Sequence, residues 1–171
     1  MSSFSFRNTI KPYTEPFKKE DNFMTPKYAW EDIINYIPKD KVIWEPFYGD
    51  GTSGEYLKEL GCKDVIHNNE DFFEHNKGDI VITNPPYSQT KKVLERLRNL
   101  DKPFIMILPC SKITTAYFKK LYGDKIQIII PKRRIHFIKY VDGTPTRQFQ
   151  CNFDCFYYCY KMNFPKDIIW L

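Results

Sequence analysis

Apolar and polar positions along the chain follow two alternating rhythms. Short apolar runs bounded by turn residues read as buried strands: KVIW at 41–44, DVIH at 64–67, DIVIT at 79–83, PFIMILP at 103–109 and KIQIII at 125–130. Between them lie stretches with apolar residues three and four apart. GEYLKELG closes at Gly61, KKVLERLRNL (91–100) carries Val93, Leu94, Leu97 and Leu100, and SKITTAYFKKLYG follows the fourth strand. An earlier pattern, PKYAWEDIINYI, predicts a helix from Pro26 that Pro38 ends, with Thr25 as its cap. Strands alternating with helices predict an α/β domain: a mainly parallel, twisted sheet with helices on both faces. After Pro131 the rhythm changes. RIHFIKYV and NFDCFYYCYKM (152–162) are extended segments with no helix between them, which predicts an antiparallel C-terminal edge hairpin.

Residues 1–21 are polar, hold Pro12 and Pro16 and lack periodicity, so a flexible arm is expected ahead of one domain spanning 22–171. The arm has no apolar signal core and no run reaches membrane-spanning length, so an intracellular, non-secreted protein is expected. Cys151, Cys155 and Cys159 are spaced by four. In a strand this spacing puts them on one face with Phe153 and Tyr157, a buried apolar face rather than a metal site, because tetrahedral zinc uses tighter pairs. The odd total of five cysteines argues against a disulfide framework. A net charge of +5 permits a polyanionic partner without requiring one. Lys91-Lys92, Lys119-Lys120 and Lys132-Arg133-Arg134 are either solvated surface or phosphate contacts, as are Lys112 and Arg147.

Two motifs interrupt the strands. GDGTSG (49–54) matches GxGxxG, follows a strand and opens a helix, which is the setting of a nucleotide-type turn. Glu45-Pro46-Phe47 precedes it. An acid there repels a pyrophosphate but suits a ligand with an amino group. Glu70 and Asp71 follow about 20 residues on, where an acid can hold ribose hydroxyls. S-Adenosylmethionine fits that set better than NAD does. The second motif, Asn84-Pro85-Pro86-Tyr87, ends a strand with two residues that have no N–H to give to a ladder. Ligands of open sheets bind beyond the carboxyl ends of the strands, so both motifs are expected at one crevice.

Together, EPFYGDG and NPPY resemble the S-adenosylmethionine-dependent methyltransferases that modify exocyclic amino groups of nucleic acid bases, the DNA adenine N6-methyltransferases in particular. FMTPKYAW (23–30) is similar to that family's N-terminal cofactor motif, EDFF (70–73) to its acidic-aromatic adenine segment, and PKRRIHF (131–137) to a late motif beside the target pocket. The resemblance covers about residues 22–160 and implies a Rossmann-like methyltransferase fold. It implies a cofactor site of Thr25, Glu45, Pro46, Phe47, Gly49, Gly51, Glu70, Asp71 and Phe72, and a catalytic Asn84, Pro85, Pro86 and Tyr87. Tyr87, Phe137, Arg133 and Arg134 would meet the substrate. In such a site the Asn84 side-chain carbonyl and the Pro85 backbone carbonyl accept the amino hydrogens, and Tyr87 stacks on the extracted base.

The chain departs from the family in two ways. The interval from Glu70 to Asn84 is too short for the usual extra helix and strand, so one sheet edge is expected to be cut short. No insertion is long enough for a target-recognition domain, which leaves specificity to short loops such as 140–151 or to a partner protein. The implied partner is nucleic acid, DNA above all. RNA adenine, the N4 of cytosine and protein glutamine are substrate alternatives, and a non-catalytic S-adenosylmethionine or nucleic-acid binding protein is an alternative of another class.

Overall fold

The structure, a computed structural model, describes residues 21, 23–141, 144–146 and 151–171. The expected arm, Asp21 apart, therefore lies outside the described residues, as do Arg147 and most of the loop before Cys151. In chain order the elements are β1 (Phe23–Met24), α1 (Lys27–Glu31), β2 (Ile43–Trp44), α2 (Thr52–Glu59), β3 (Val65–Ile66), β4 (Ile80–Thr83), α3 (Thr90–Asn99), β5 (Phe104–Pro109), α4 (Ala116–Leu121), β6 (Ile126–Ile130), β7 (Ile138–Val141), β8 (Thr144–Thr146), β9 (Cys155–Tyr160) and β10 (Ile168–Trp170).

The main sheet has seven strands in the order β10-β6-β9-β5-β4-β2-β3. β3, β2, β4 and β5 are parallel, β9 runs antiparallel to both β5 and β6, and β10 lies parallel to β6. Alternation along the strands divides the core in two. Ile43, Ile80, Ile82, Ile105 and Ile107 pack with Ala29 and Trp30 of α1 and Leu57 of α2. Trp44, Val81, Phe104, Met106 and Leu108 pack with Val93, Leu94 and Leu97 of α3 and Phe118 of α4. Helices thus cover both faces, and strands buried on both sides read as continuous apolar runs. Cys151, Cys155 and Cys159 share the first of these cores with Tyr157, as their spacing predicts, and all five cysteines are free.

Several elements differ from the sequence reading. The helix expected from Pro26 to Ile37 breaks after Glu31 and continues as a 3-10 turn at Ile34–Tyr36. The buried Tyr157 hydroxyl donates to the Ala29 carbonyl at 2.6 Å, and the Ile33 N–H turns to the Trp30 carbonyl at 3.2 Å. A tertiary hydrogen bond has taken the acceptor that the next α-helical turn uses. Pro26 itself, in extended geometry, is the cap residue, so Thr25 is a buried neighbour and not the cap. An antiparallel C-terminal pair is present, but it joins β9 to β6 and not to RIHFIKYV as expected, and β10, absent from the sequence reading, adds a strand beyond it. The segment RIHFIKYV does not extend the main sheet. β7 forms a hairpin with β8 and pairs with β1 in a separate three-stranded sheet. At the other end β3 is the edge strand, which matches the short interval before Asn84. Among the described residues no helix is long and apolar enough to cross a membrane.

Candidate active site

β2 and β4 are adjacent and parallel, so the glycine turn after β2 and the proline motif after β4 leave the sheet side by side. Glu45 joins them. It is 1% exposed and accepts hydrogen bonds from the Phe47 N–H (3.2 Å), the Ser53 hydroxyl at the start of α2 (2.8 Å) and the Thr83 hydroxyl at the end of β4. The Trp30 indole N–H donates to the same Ser53 oxygen at 3.0 Å, which brings α1 into the network. Burial pushes the Glu45 carboxyl up to about 8, and the three donors only partly oppose it. The expectation that Glu45 faces a ligand is therefore corrected: both its oxygens are spent tying β2, α2 and β4 together.

The turn itself is tight. Gly49 and Gly51 both have positive φ (56° and 85°), and a Cβ on Gly49 would stand 2.8 Å from the Met24 sulfur of β1. Asp50 accepts from the Thr52 N–H (3.0 Å) and hydroxyl (2.6 Å), closing the turn onto α2. Pro46 and Phe47 are buried. A cavity of about 400 Å³ lies against the turn and α2, lined in part by Tyr48, Asp50, Gly51, Thr52 and His67.

The acidic-aromatic segment after β3 adjoins this turn. The Phe47 and Phe72 rings are 5.0 Å apart, and Tyr48 stacks on His67 at 4.9 Å. Here too the structure corrects the residue reading. Phe72 is 1% exposed and packed on Trp44, with Arg96 of α3 donating to its carbonyl at 3.0 Å, so its ring belongs to the core and Phe73 is the half-buried one. Glu70 is paired with Lys77, which holds its carboxyl below the usual range, and Asp71 accepts from the Phe73 N–H at 2.8 Å. His67, read from sequence as a core or edge residue, donates from Nδ1 to the Glu45 carbonyl at 2.8 Å. Burial lowers its pKa, and its buried Nε2 has no hydrogen-bond partner among the described residues. Gly54 makes room for it, since a Cβ there would stand 2.5 Å from the imidazole. Nothing in the local sequence marks His67; only the packing of α2 on the end of β3 does.

At the proline motif, Pro85 is buried and Pro86 is extended (φ −62°, ψ 121°) before a 3-10 turn, Tyr87–Gln89, leads into α3. The Thr90 hydroxyl fixes the Tyr87 carbonyl at 2.8 Å. Asn84 donates from Nδ2 to the Phe23 carbonyl at 3.3 Å, while its Oδ1 is buried and has no hydrogen-bond partner among the described residues. Such an orphan acceptor is costly unless a ligand fills it. Beside it four rings form a box. Tyr87 lies 6.1 Å from Phe23, 6.2 Å from Phe137 and 5.9 Å from Phe153, and Phe137 and Phe153 lie near parallel at 6.2 Å. The Tyr87 hydroxyl sits 3.7 Å from the Cys155 sulfur, and burial holds it well above the ordinary phenol value. Phe23 and Phe153 belong to this box although the sequence reading assigned them no role there. An odd-numbered parity with Cys151 and Cys155 was the available signal for Phe153.

The basic residues divide. Arg134 forks onto Asp154 at 2.8 and 2.7 Å, so its charge is already answered. Arg133 is exposed and lies over the Tyr28 ring, 4.4 Å from its centroid.

No protein-family model matches the chain, and no curated protein matches it. Among solved structures it is similar to the tRNA (m1A58) methyltransferase TrmI from Aquifex aeolicus, with a TM-score of 0.47 and 14% identity over 91% of this chain and 75% of that one.

Proposed function

We propose that this chain transfers a methyl group from S-adenosylmethionine to the exocyclic amino group of adenine in DNA. The observation that carries the reading is the Asn84 Oδ1: a buried acceptor without a partner among the described residues, beside an aromatic box, one strand away from a glycine turn. An exocyclic amino group brings the hydrogens this acceptor lacks, and a flipped base brings the ring that Tyr87 stacks on.

The residues present fit the cofactor in part. The positive-φ turn at Gly49 and Gly51, with the cavity beside it that Asp50, Gly51 and Glu55 help to line, would hold it, whereas Glu45 is committed elsewhere. The cofactor, when bound, supplies a methyl on a positively charged sulfur, an electrophile that needs no further activation. The chain's own task is to aim the amino nitrogen. The lone pair of that nitrogen is delocalised into the purine. Two acceptors on its hydrogens, Asn84 Oδ1 and the Pro85 carbonyl, draw it toward tetrahedral geometry, and the prolines keep the second acceptor fixed before the reaction begins. The nitrogen's lone pair would form the bond to the methyl carbon as the methyl–sulfur bond breaks with its electrons on sulfur, leaving a neutral thioether, and the methylated nitrogen cation would lose its proton to water.

The test is transfer of tritiated methyl from S-adenosylmethionine to a panel of DNA, RNA and protein, followed by mass spectrometry of the products. N6-methyladenine in DNA is the expected product. Label in RNA adenine, N4-methylcytosine or glutamine reassigns the substrate, and no label in any of them removes the reading.

A further inference from the structure

We infer that Phe23 occupies the place of the target base in the free protein, so that the site is closed by its own N-terminal strand until substrate displaces it. The inference rests on the amino-methyltransferase reading of Asn84 and Tyr87. A base engaged there touches two things at once: its amino group meets the Asn84 amide and its ring meets Tyr87. Phe23 already touches both. Its carbonyl accepts from Asn84 Nδ2 at 3.3 Å, and its ring stands 6.1 Å from Tyr87, 5.8 Å from Phe137 and 5.9 Å from Phe153.

Two features make this contact incompatible with an engaged base. Rings at these separations are in direct contact, so no slot of ring thickness remains within the box. The Asn84 Oδ1, which must receive the amino group, is buried, and the other end of the same amide is held by the Phe23 carbonyl. Phe23 therefore moves before an amino group reaches the acceptor. The means of holding it there are visible on either side. Asp21 accepts from the Ser88 N–H at 2.9 Å and from the Ser88 hydroxyl, latching the strand directly onto the residue after the proline motif. β1 is paired to β7 over two residues, Phe23 with Lys139 and Met24 with Ile138. The latch is solvent-exposed, where a hydrogen bond trades readily with water.

A closed majority state lowers apparent affinity by the fraction of molecules that are open. Phe23→Ala removes the occupying ring and Asp21→Ala removes the latch while leaving all four rings intact. Both are expected to bind single-stranded adenine-containing DNA more tightly than the wild-type chain, by about threefold to tenfold, and for Asp21→Ala, outside the ring box, the effect is expected on KM rather than on kcat. Phe23→Trp is expected to bind more weakly. Binding is read by fluorescence of an oligonucleotide carrying 2-aminopurine. Circular dichroism verifies that each variant is folded, and Asp21→Ala carries the test where Phe23→Ala does not fold. Exchange of the Asn84 side-chain amide protons, seen by NMR without any ligand, gives a readout independent of catalysis: faster in both variants if Phe23 covers Asn84, unchanged if it does not. Weaker oligonucleotide binding by Asp21→Ala or Phe23→Ala makes Phe23 a wall of the pocket and overturns the inference. Should the wild-type chain methylate nothing, the functional reading fails, and accelerated amide exchange alone then still supports the closed contact while unchanged exchange overturns it.

Discussion

The Ser53 hydroxyl stands 2.8 Å from the Glu45 carboxyl group and donates to it, while receiving the Trp30 indole N–H at 3.0 Å. A residue of the glycine turn is thereby tied to the end of β2 on one side and to α1 on the other. With Thr83 bonded to the same carboxyl group, one buried acid fixes the relative placement of the two motifs.

This arrangement has a pH signature. In the folded chain Glu45 keeps its proton up to about pH 8, whereas the unfolded chain releases it in the ordinary glutamate range. The folded state binds more protons throughout that interval, so the contribution of Glu45 to stability is complete below the unfolded value and is lost as pH rises through 8. His67, whose pKa is lowered, runs the opposite way but has finished titrating above its ordinary value. Burial pushes the five cysteine thiols up as well, with a stability loss of the same sign as pH rises, so the difference in thermal unfolding between the wild-type chain and Glu45→Gln from about pH 7 to pH 8.5 is what isolates the acid. A falling Tm is expected there for the wild-type chain and a flatter profile for Glu45→Gln; equal slopes would place the proton elsewhere.

Asn84→Ala is expected to lower kcat for methyl transfer by about 10²–10³, the scale of losing one preorganised polar group, with S-adenosylmethionine affinity changed little. Calorimetry for the cofactor and single-turnover methylation measure the two effects separately. Turnover at the wild-type rate would take Asn84 out of the chemistry.

Tyr87→Phe keeps the ring in the box and gives up only a 3.7 Å contact with the Cys155 sulfur. Little change in substrate affinity is expected from it. Tyr87→Ala loses the stacking surface, on the order of 1–3 kcal/mol, or roughly 5- to 150-fold in Kd. Oligonucleotide titrations compare them, and matching losses would assign the work to the hydroxyl.

Arg133 and Arg134 are neighbours with different prospects. Asp154 answers the charge of Arg134, and Arg133 lies exposed over Tyr28. Arg133→Ala is expected to reduce the salt slope of DNA binding by about one, as for a lost phosphate contact, and Arg134→Ala to leave the slope unchanged. The measurement is affinity against salt concentration for each variant, and the reverse pattern would exchange their roles.

Periodicity made the layered sheet legible, because strands buried on both faces have only one way to look. Ile80-Val81-Ile82 and the cysteine parity of β9 are examples. β10 was illegible: two of its three residues, Ile168 and Trp170, are exposed, and its pairing with β6 depends on partners about 40 residues away. The motifs around the site could be read from spacing, but the roles of individual residues could not. Glu45 is withdrawn from the ligand by Thr83, 38 residues distant, and Phe72 is turned into the core by its contact with Trp44. The position of Phe23 depends on a strand pairing with Lys139, which no local window contains.

That pairing also dates the site within the life of the chain. Synthesis delivers both motifs before β7 and β9. Yet Phe23 waits for Lys139, and the Ala29 carbonyl waits for the Tyr157 hydroxyl. Contacts this distant in sequence close late in folding. A growing chain that has not yet released β9 carries both motifs without the contacts from Lys139 and Tyr157 that enclose them, so the enclosure is complete only once β7 and β9 have joined the residues made before them.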